Sequence, residues 1–300
     1  MRGFSLSFLL ALLIAVPAQA QTDYEIRLFR PNKAGDRYRI SATGHQIRQV
    51  MLRSASGETL RSERASFSVE MAGAVQVLEV DPKGNATRAA ITVDTLVRVI
   101  GLQRDELLRP GTLVTEQRAG ARQEFQIDGR VVGPDLKDAL DVALSETNDP
   151  GAPSDDELMG TKERKKVGER WPVNRERLAS FFSQDSDINL AVAPQDIEGG
   201  GTLAAVARVG DIDCLRVDVA MTILGRPRDT KLPAGMEKAK IEINISALLP
   251  VDPKLDQLEE STRLTMTLVA PASPPLESRA PDQIVTTWEQ RSDRKLQPVR

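Results

Sequence analysis

The chain has 300 residues, with 40 Lys and Arg against 43 Asp and Glu, a single Cys, a single His and 4% aromatic residues. This balance lacks the basic excess of nucleic-acid binders and the stacking aromatics of single-strand binders. One cysteine excludes an internal disulfide, so stability must come from burial, which a chain of this size can supply.

The N-terminus reads as a cleavable leader: Met1-Arg2-Gly3, the apolar run Phe4 to Val16, then Ala18-Gln19-Ala20 as an A-x-A signal. The run of 13 residues falls short of the roughly 20 that cross a bilayer. Cleavage is expected between Ala20 and Gln21. No Cys stands there to be acylated, and loss of Arg2 takes the net charge from −3 to −4. A soluble periplasmic or secreted protein follows. No later stretch reaches the length of a membrane span, and two Trp and two Tyr are too few for the aromatic girdles of a transmembrane barrel.

Downstream, apolar residues recur mostly with period two between Gly, Pro, Asp and Asn, the signature of antiparallel sheet. Strands are expected at Tyr24 to Phe29, Arg37 to Thr43, Ser66 to Met71 and Gln123 to Ile127. Val75 to Val80 and Ala90 to Asp94 form a hairpin about Asp81-Pro82-Lys83-Gly84-Asn85, where Pro82 presets φ and Gly84 or Asn85 takes a positive φ. Pro134 to Glu146 and Asn174 to Phe182 read as helices, with Pro134 at a helix start and Asn174 as a cap. Between them, Thr147 to Asp156 is rich in turn formers and reads as a link.

In the second half, Thr202 to Val209, Gly210-Asp211 and Cys214 to Ile223 give another hairpin, with Leu215, Val217, Val219, Met221 and Ile223 sharing a buried face. Lys240 to Ile245, Arg263 to Val269 and Ile284 to Gln290 complete the set. The expected fold is mainly β: two tandem antiparallel-sheet lobes, curved or sandwich-like, with one or two short helices. The lobes span 21–147 and 161–300, joined by 148–160.

An internal repeat supports this division. Lys33-Ala34-Gly35-Asp36-Arg37-Tyr38 matches Lys166-Val167-Gly168-Glu169-Arg170-Trp171 as K-[AV]-G-[DE]-R-[YW], a tight turn whose acid faces water, leading into a strand with an aromatic anchor. Gly35-Asp36-Arg37-Tyr38 and Val167-Gly168-Glu169-Arg170-Trp171 resemble the G-D-x-Y and V-G-[DE]-x-W turns of exported, β-rich bacterial proteins of unknown function. The resemblance implies export and a β-rich fold, and it transfers no active site.

No motif assigns a catalytic, cofactor-binding or metal residue. A Ser-His-Asp or Cys-His site, or a zinc site other than an all-carboxylate one, would require His45, which is expected at a strand end beside Gly44. Cys214 has Asp211 and Asp213 nearby, which raise a thiol pKa, so it is expected to pack as a small apolar residue. Asp155-Asp156-Glu157 reads as a solvated run in the link. Gly199-Gly200-Gly201 precedes a strand, whereas phosphate loops lead into a helix, so it reads as a flexible loop.

The absence of a catalytic constellation, together with the regular, duplicated β pattern, points to a non-enzymatic envelope protein, a binding or interaction module for a hydrophobic small molecule or an envelope protein. The alternative is a carboxylate-dependent hydrolase of envelope glycans, which requires two acids in one cleft, one with a raised pKa, together with stacking aromatics of which Trp171 and Trp288 are the only tryptophans.

Overall fold

The computed structural model describes residues 22–54, 56–119, 122–144, 151–184, 190–227, 238–272 and 283–298. The expected leader, link residues 147–150, Glu146 and Asp185 lie outside the described residues. The elements begin with β1 (Arg37–Arg53), β2 (Thr59–Val80), β3 (Ala86–Ile100), β4 (Gln103–Leu108), β5 (Leu113–Ala119), β6 (Arg122–Ile127) and β7 (Arg130–Val131). Next come α1 (Pro134–Leu144), α2 (Asp155–Met159), β8 (Arg170–Pro172), α3 (Arg175–Gln184) and β9 (Leu190–Ala191). The chain continues through β10 (Ile197–Val209), β11 (Ile212–Pro227), β12 (Lys238–Pro250), β13 (Glu259–Pro271) and β14 (Gln283–Pro298).

These strands form one open antiparallel sheet in the order β7-β6-β5-β3-β2-β1-β14-β13-β12-β11-β10-β8, with β4 added to β3 and β9 to β11. The protein is therefore mainly β, as its alternating pattern implies. The sheet runs unbroken across the expected lobe boundary, because β1 pairs with β14 from Tyr38↔Pro298 to Arg53↔Gln283. Beneath it lie two main apolar cores. One gathers Ile40, Val69, Met71, Ile91, Leu96, Val114 and Phe125 under α1. The other gathers Trp171, Leu178, Phe182, Leu203 and the β11 row Leu215, Val217, Val219, Met221 and Ile223.

Helix α1 follows its apolar spacing, burying Ala139, Leu140, Val142, Ala143 and Leu144. It lies over β1, β2 and β14, so close that a Cβ on Gly44 would collide with Val142. Asn174 caps α3, its Oδ1 accepting from Arg177 N at 3.1 Å. Part of the expected link is instead helix α2: Ser154 and Glu157 form a reciprocal capping box, so the acids Asp155, Asp156 and Glu157 occupy a helix N-terminus, where carboxylates are favoured. The expected strand Tyr24 to Phe29 is also not one. Only Tyr24 bridges, to Lys165, because the segment crosses the second core with Ile26 buried in it instead of joining an edge.

The two motif turns share one hydrogen-bond pattern. Gly35 N donates to Val77 O (2.8 Å) and Val77 N to Asp36 O (2.9 Å). Likewise Gly168 N donates to Leu203 O (2.7 Å) and Leu203 N to Glu169 O (3.1 Å). Both glycines have positive φ, 95° and 89°, which side chains disfavour. The acids also close the turns from the solvent side: Asp36 accepts from Lys33 N (2.6 Å) and Glu169 from Lys166 N (2.9 Å).

Candidate functional site

The strand alternation of β14 puts Ile284, Thr286, Trp288, Gln290, Ser292, Arg294 and Leu296 on the sheet face that carries the cores. Register places Trp288 between Met266 of β13 and Arg48 of β1, Thr286 between Leu268 and Val50, and Gln290 between Leu264 and Gln46. On β12, Ile243 lies opposite Leu264 and Ile241 opposite Met266. Of this surface, Ile243, Ile245, Leu264, Met266 and Leu268 are only half-buried against the second core, and Val50, Leu52, Ile284 and Trp288 are half-buried too. The main helix contacts lie to either side, α1 on β1, β2 and β14 and α3 on β9 and β10. From Gln290, just beyond the part of β14 under α1, to Ile284 the stripe extends about 20 Å at the usual rise of a strand.

Its inner end closes on charge. The Arg294 guanidinium and the Glu260 carboxylate pair at 2.6 Å, with side chains 11% and 20% exposed, between Ala42 of the first core and Ala247 of the second. Burial pushes the Glu260 carboxyl up, but Arg294, Gln257 and Thr262 outweigh it and hold the group below its ordinary value. The N-terminal segment crosses here: Leu28 N donates to Asp156 Oδ1 at 2.7 Å and Arg30 Nη2 to Pro250 O at 2.9 Å. A cavity of about 100 Å³ remains, lined by Arg30, Tyr38, Asn85, Asp256, Glu260 and Arg294 among others. Burial, with Asp36 nearby, raises the Asp256 carboxyl.

A raised and a lowered acid thus share one cavity, the chemical minimum for acid–base hydrolysis. Size rules out this cavity as such a site. Small-molecule sites run from about 300 Å³ upward, and this space holds a few waters. Trp171, one of two candidate sugar platforms, is 4% exposed with its Nε1 donating to Met159 O at 2.7 Å. The ion pair reads as the polar seam joining two cores.

The structure separates the other residues singled out by sequence. His45 is not at a strand end: β1 continues to Arg53, leaving His45 mid-strand on the opposite, polar face with Nδ1 2.8 Å from Ser68 Oγ. Cys214 is fully buried beside Leu248 and Leu258, and burial, then Asp213 and Glu259, raises its thiol pKa. Gly199-Gly200-Gly201 is no loop but part of β10, paired with β11 and β8. A Cβ on Gly201 would fall inside the Trp171 indole, so Gly201 seats that side chain. Asp156, expected in solvent, is half-buried and holds the N-terminal segment. No group of three potential metal ligands occurs among the described residues, and none of their helices is long and apolar enough to cross a membrane. The half-buried stripe escaped sequence reading because its alternation is that of any core-facing strand; only its distance from the helices marks it.

No protein-family model matches the chain, and no curated protein does. Solved structures to which it is similar include an outer membrane channel from Pseudomonas putida, at 9% identity and TM-score 0.20, covering 91% of this chain and 100% of that one. A DUF1329 family protein from Desulfovibrio piger has 10% identity and TM-score 0.13 over 83% of each chain. The TodX monoaromatic hydrocarbon channel, in mutant form, has 7% identity and TM-score 0.16 over 91% of this chain and 92% of that one. Likenesses this distant assign neither fold nor function.

Proposed function

We propose that this is an exported, non-catalytic binding module of the cell envelope, which takes an apolar small molecule along the half-buried stripe of β12, β13 and β14. The reading includes leader cleavage after Ala20, a periplasmic or secreted location, and two lobes that are duplicated copies of one unit joined edge to edge. The observation that carries it is the continuous run of half-buried apolar side chains, Ile243, Leu264, Met266, Leu268 and Trp288, between the two helix-covered regions. Apolar surface left partly open between well-packed cores is the usual signature of a hydrophobic ligand site. The seam residues Arg294 and Glu260, already paired to each other, offer a polar end stop.

Native mass spectrometry of the protein purified from its own compartment tests this. The expected spectrum shows the chain beginning at Gln21 and carrying a small apolar molecule lost on activation. A ligand-free chain, or one carrying only a protein subunit, would overturn the ligand reading.

A further inference from the structure

The irregular chain that crosses the seam also closes the inner end of the stripe. Residues 23–32 are fastened to both halves of the sheet. On one side Tyr24 and Lys165 exchange two backbone hydrogen bonds of 2.8 Å, and Ile26 is 2% exposed in the second core. On the other, Asn32 N donates to Gly84 O at 2.8 Å. Between these anchors stands Leu28, half-buried, with its backbone N held by Asp156 Oδ1 at 2.7 Å. Its side chain packs on the second core and borders a void of about 30 Å³, whose other walls include Ile245, Thr262, Val219, Ala247 and Met159. Ile245 and Thr262 face each other across β12 and β13, as do the stripe residues Ile243 and Leu264. Each stands two residues inward of its stripe neighbour, about 7 Å at the rise of a strand. Leu28 therefore sits where the apolar row would otherwise run on toward the seam. Beyond it, Glu260 is occupied by Arg294 at 2.6 Å, Gln257 at 2.8 Å and Thr262 at 3.1 Å, partners that a hydrocarbon chain cannot replace.

We propose that Leu28 is the length-determining residue of the stripe, and that the molecule it measures is an unbranched hydrocarbon chain lying along the strands with its terminal methyl against Leu28. This deepens the ligand reading and rests on it. The shape favours a chain over a compact ring: the stripe runs about 20 Å along the strands against roughly 10 Å across three of them. The stop is fixed, because the backbone on either side of Leu28 is bonded to a different half of the sheet. A longer chain meets the isobutyl group, and its extra methylenes stay outside the apolar surface.

Competition of straight-chain alcohols of increasing length against a bound apolar dye, on the mature chain, tests it. Wild-type affinity should rise about fourfold per added methylene up to a limiting length and then level off. Leu28→Ala removes three carbons and should move that limit outward by about three methylenes, leaving the affinity for the shortest chains unchanged. Leu28→Val removes one carbon, should move the limit by about one, and carries the test if Leu28→Ala does not fold by circular dichroism. Affinity that climbs without a limit in the wild type, a limit that stays in place in the folded variants, or a uniform loss at every length would overturn Leu28 as the stop and leave the stripe standing. A wild type that binds no alcohol of any length would overturn the stripe and the stop together.

Discussion

In the first half of the sheet Tyr38 enters β1 at the seam, half-buried, and lines the small cavity there. In the second, Trp171 enters β8 at the free edge, yet it is the more deeply buried of the two, at 4% exposure. The turns before them are hydrogen-bonded alike, so the turn does not set the depth of the anchor. The cross-strand partner does: Tyr38 faces Val75, whereas Trp171 faces Gly201, and only the missing Cβ lets an indole lie flat on the neighbouring strand.

The largest effect that can test this comparison comes from truncating the anchors. Trp171→Ala should cost about 3–5 kcal/mol, and Tyr38→Ala about 1–2 kcal/mol, in urea denaturation of the mature chain. Amide exchange should rise in β10 and β11 for the first variant and spare β2 and β3. Equal losses from both variants would mean that the turn, and not the facing glycine, governs the anchor.

A smaller effect concerns what joins the halves. Glu260→Gln removes the carboxylate charge that faces Arg294 and should cost about 2–3 kcal/mol near neutral pH. Because the folded carboxyl lies below its ordinary value, its contribution is fully present above the unfolded Glu value of about 4.3 and fades as pH falls through the lower folded value. Urea midpoints of wild type and variant should therefore differ most at neutral pH and converge in acid. A gap that stays constant down to low pH would remove the ion pair from the seam.

Much of the sheet is legible in sequence because one wet and one buried face impose period two, as in the β11 row from Leu215 to Ile223. The hairpin at Asp81 to Asn85 is legible because its turn chemistry is local. Long-range features are not. Nothing local says that β1 pairs with β14, that Gly199 to Gly201 form part of a strand in which Gly201 seats an indole, or that Ile26 crosses a core as irregular chain. α2 was legible in principle, since Ser154 and Glu157 have capping-box spacing, but the turn formers around it outweighed two residues. Of the candidate site, Trp288 was visible as a rare residue, while its setting beside Met266 and Arg48 depends on register.

The most direct test of the ligand stripe uses that tryptophan. In a Trp171→Phe background Trp288 is the sole tryptophan, and an apolar fluorescent dye should quench its emission by energy transfer in a saturable titration. Met266→Asp and Leu268→Asp, each confirmed to be folded by circular dichroism, should weaken that binding about tenfold or more. No saturable transfer from Trp288, or transfer undiminished in both variants, would contradict an apolar ligand site on this face.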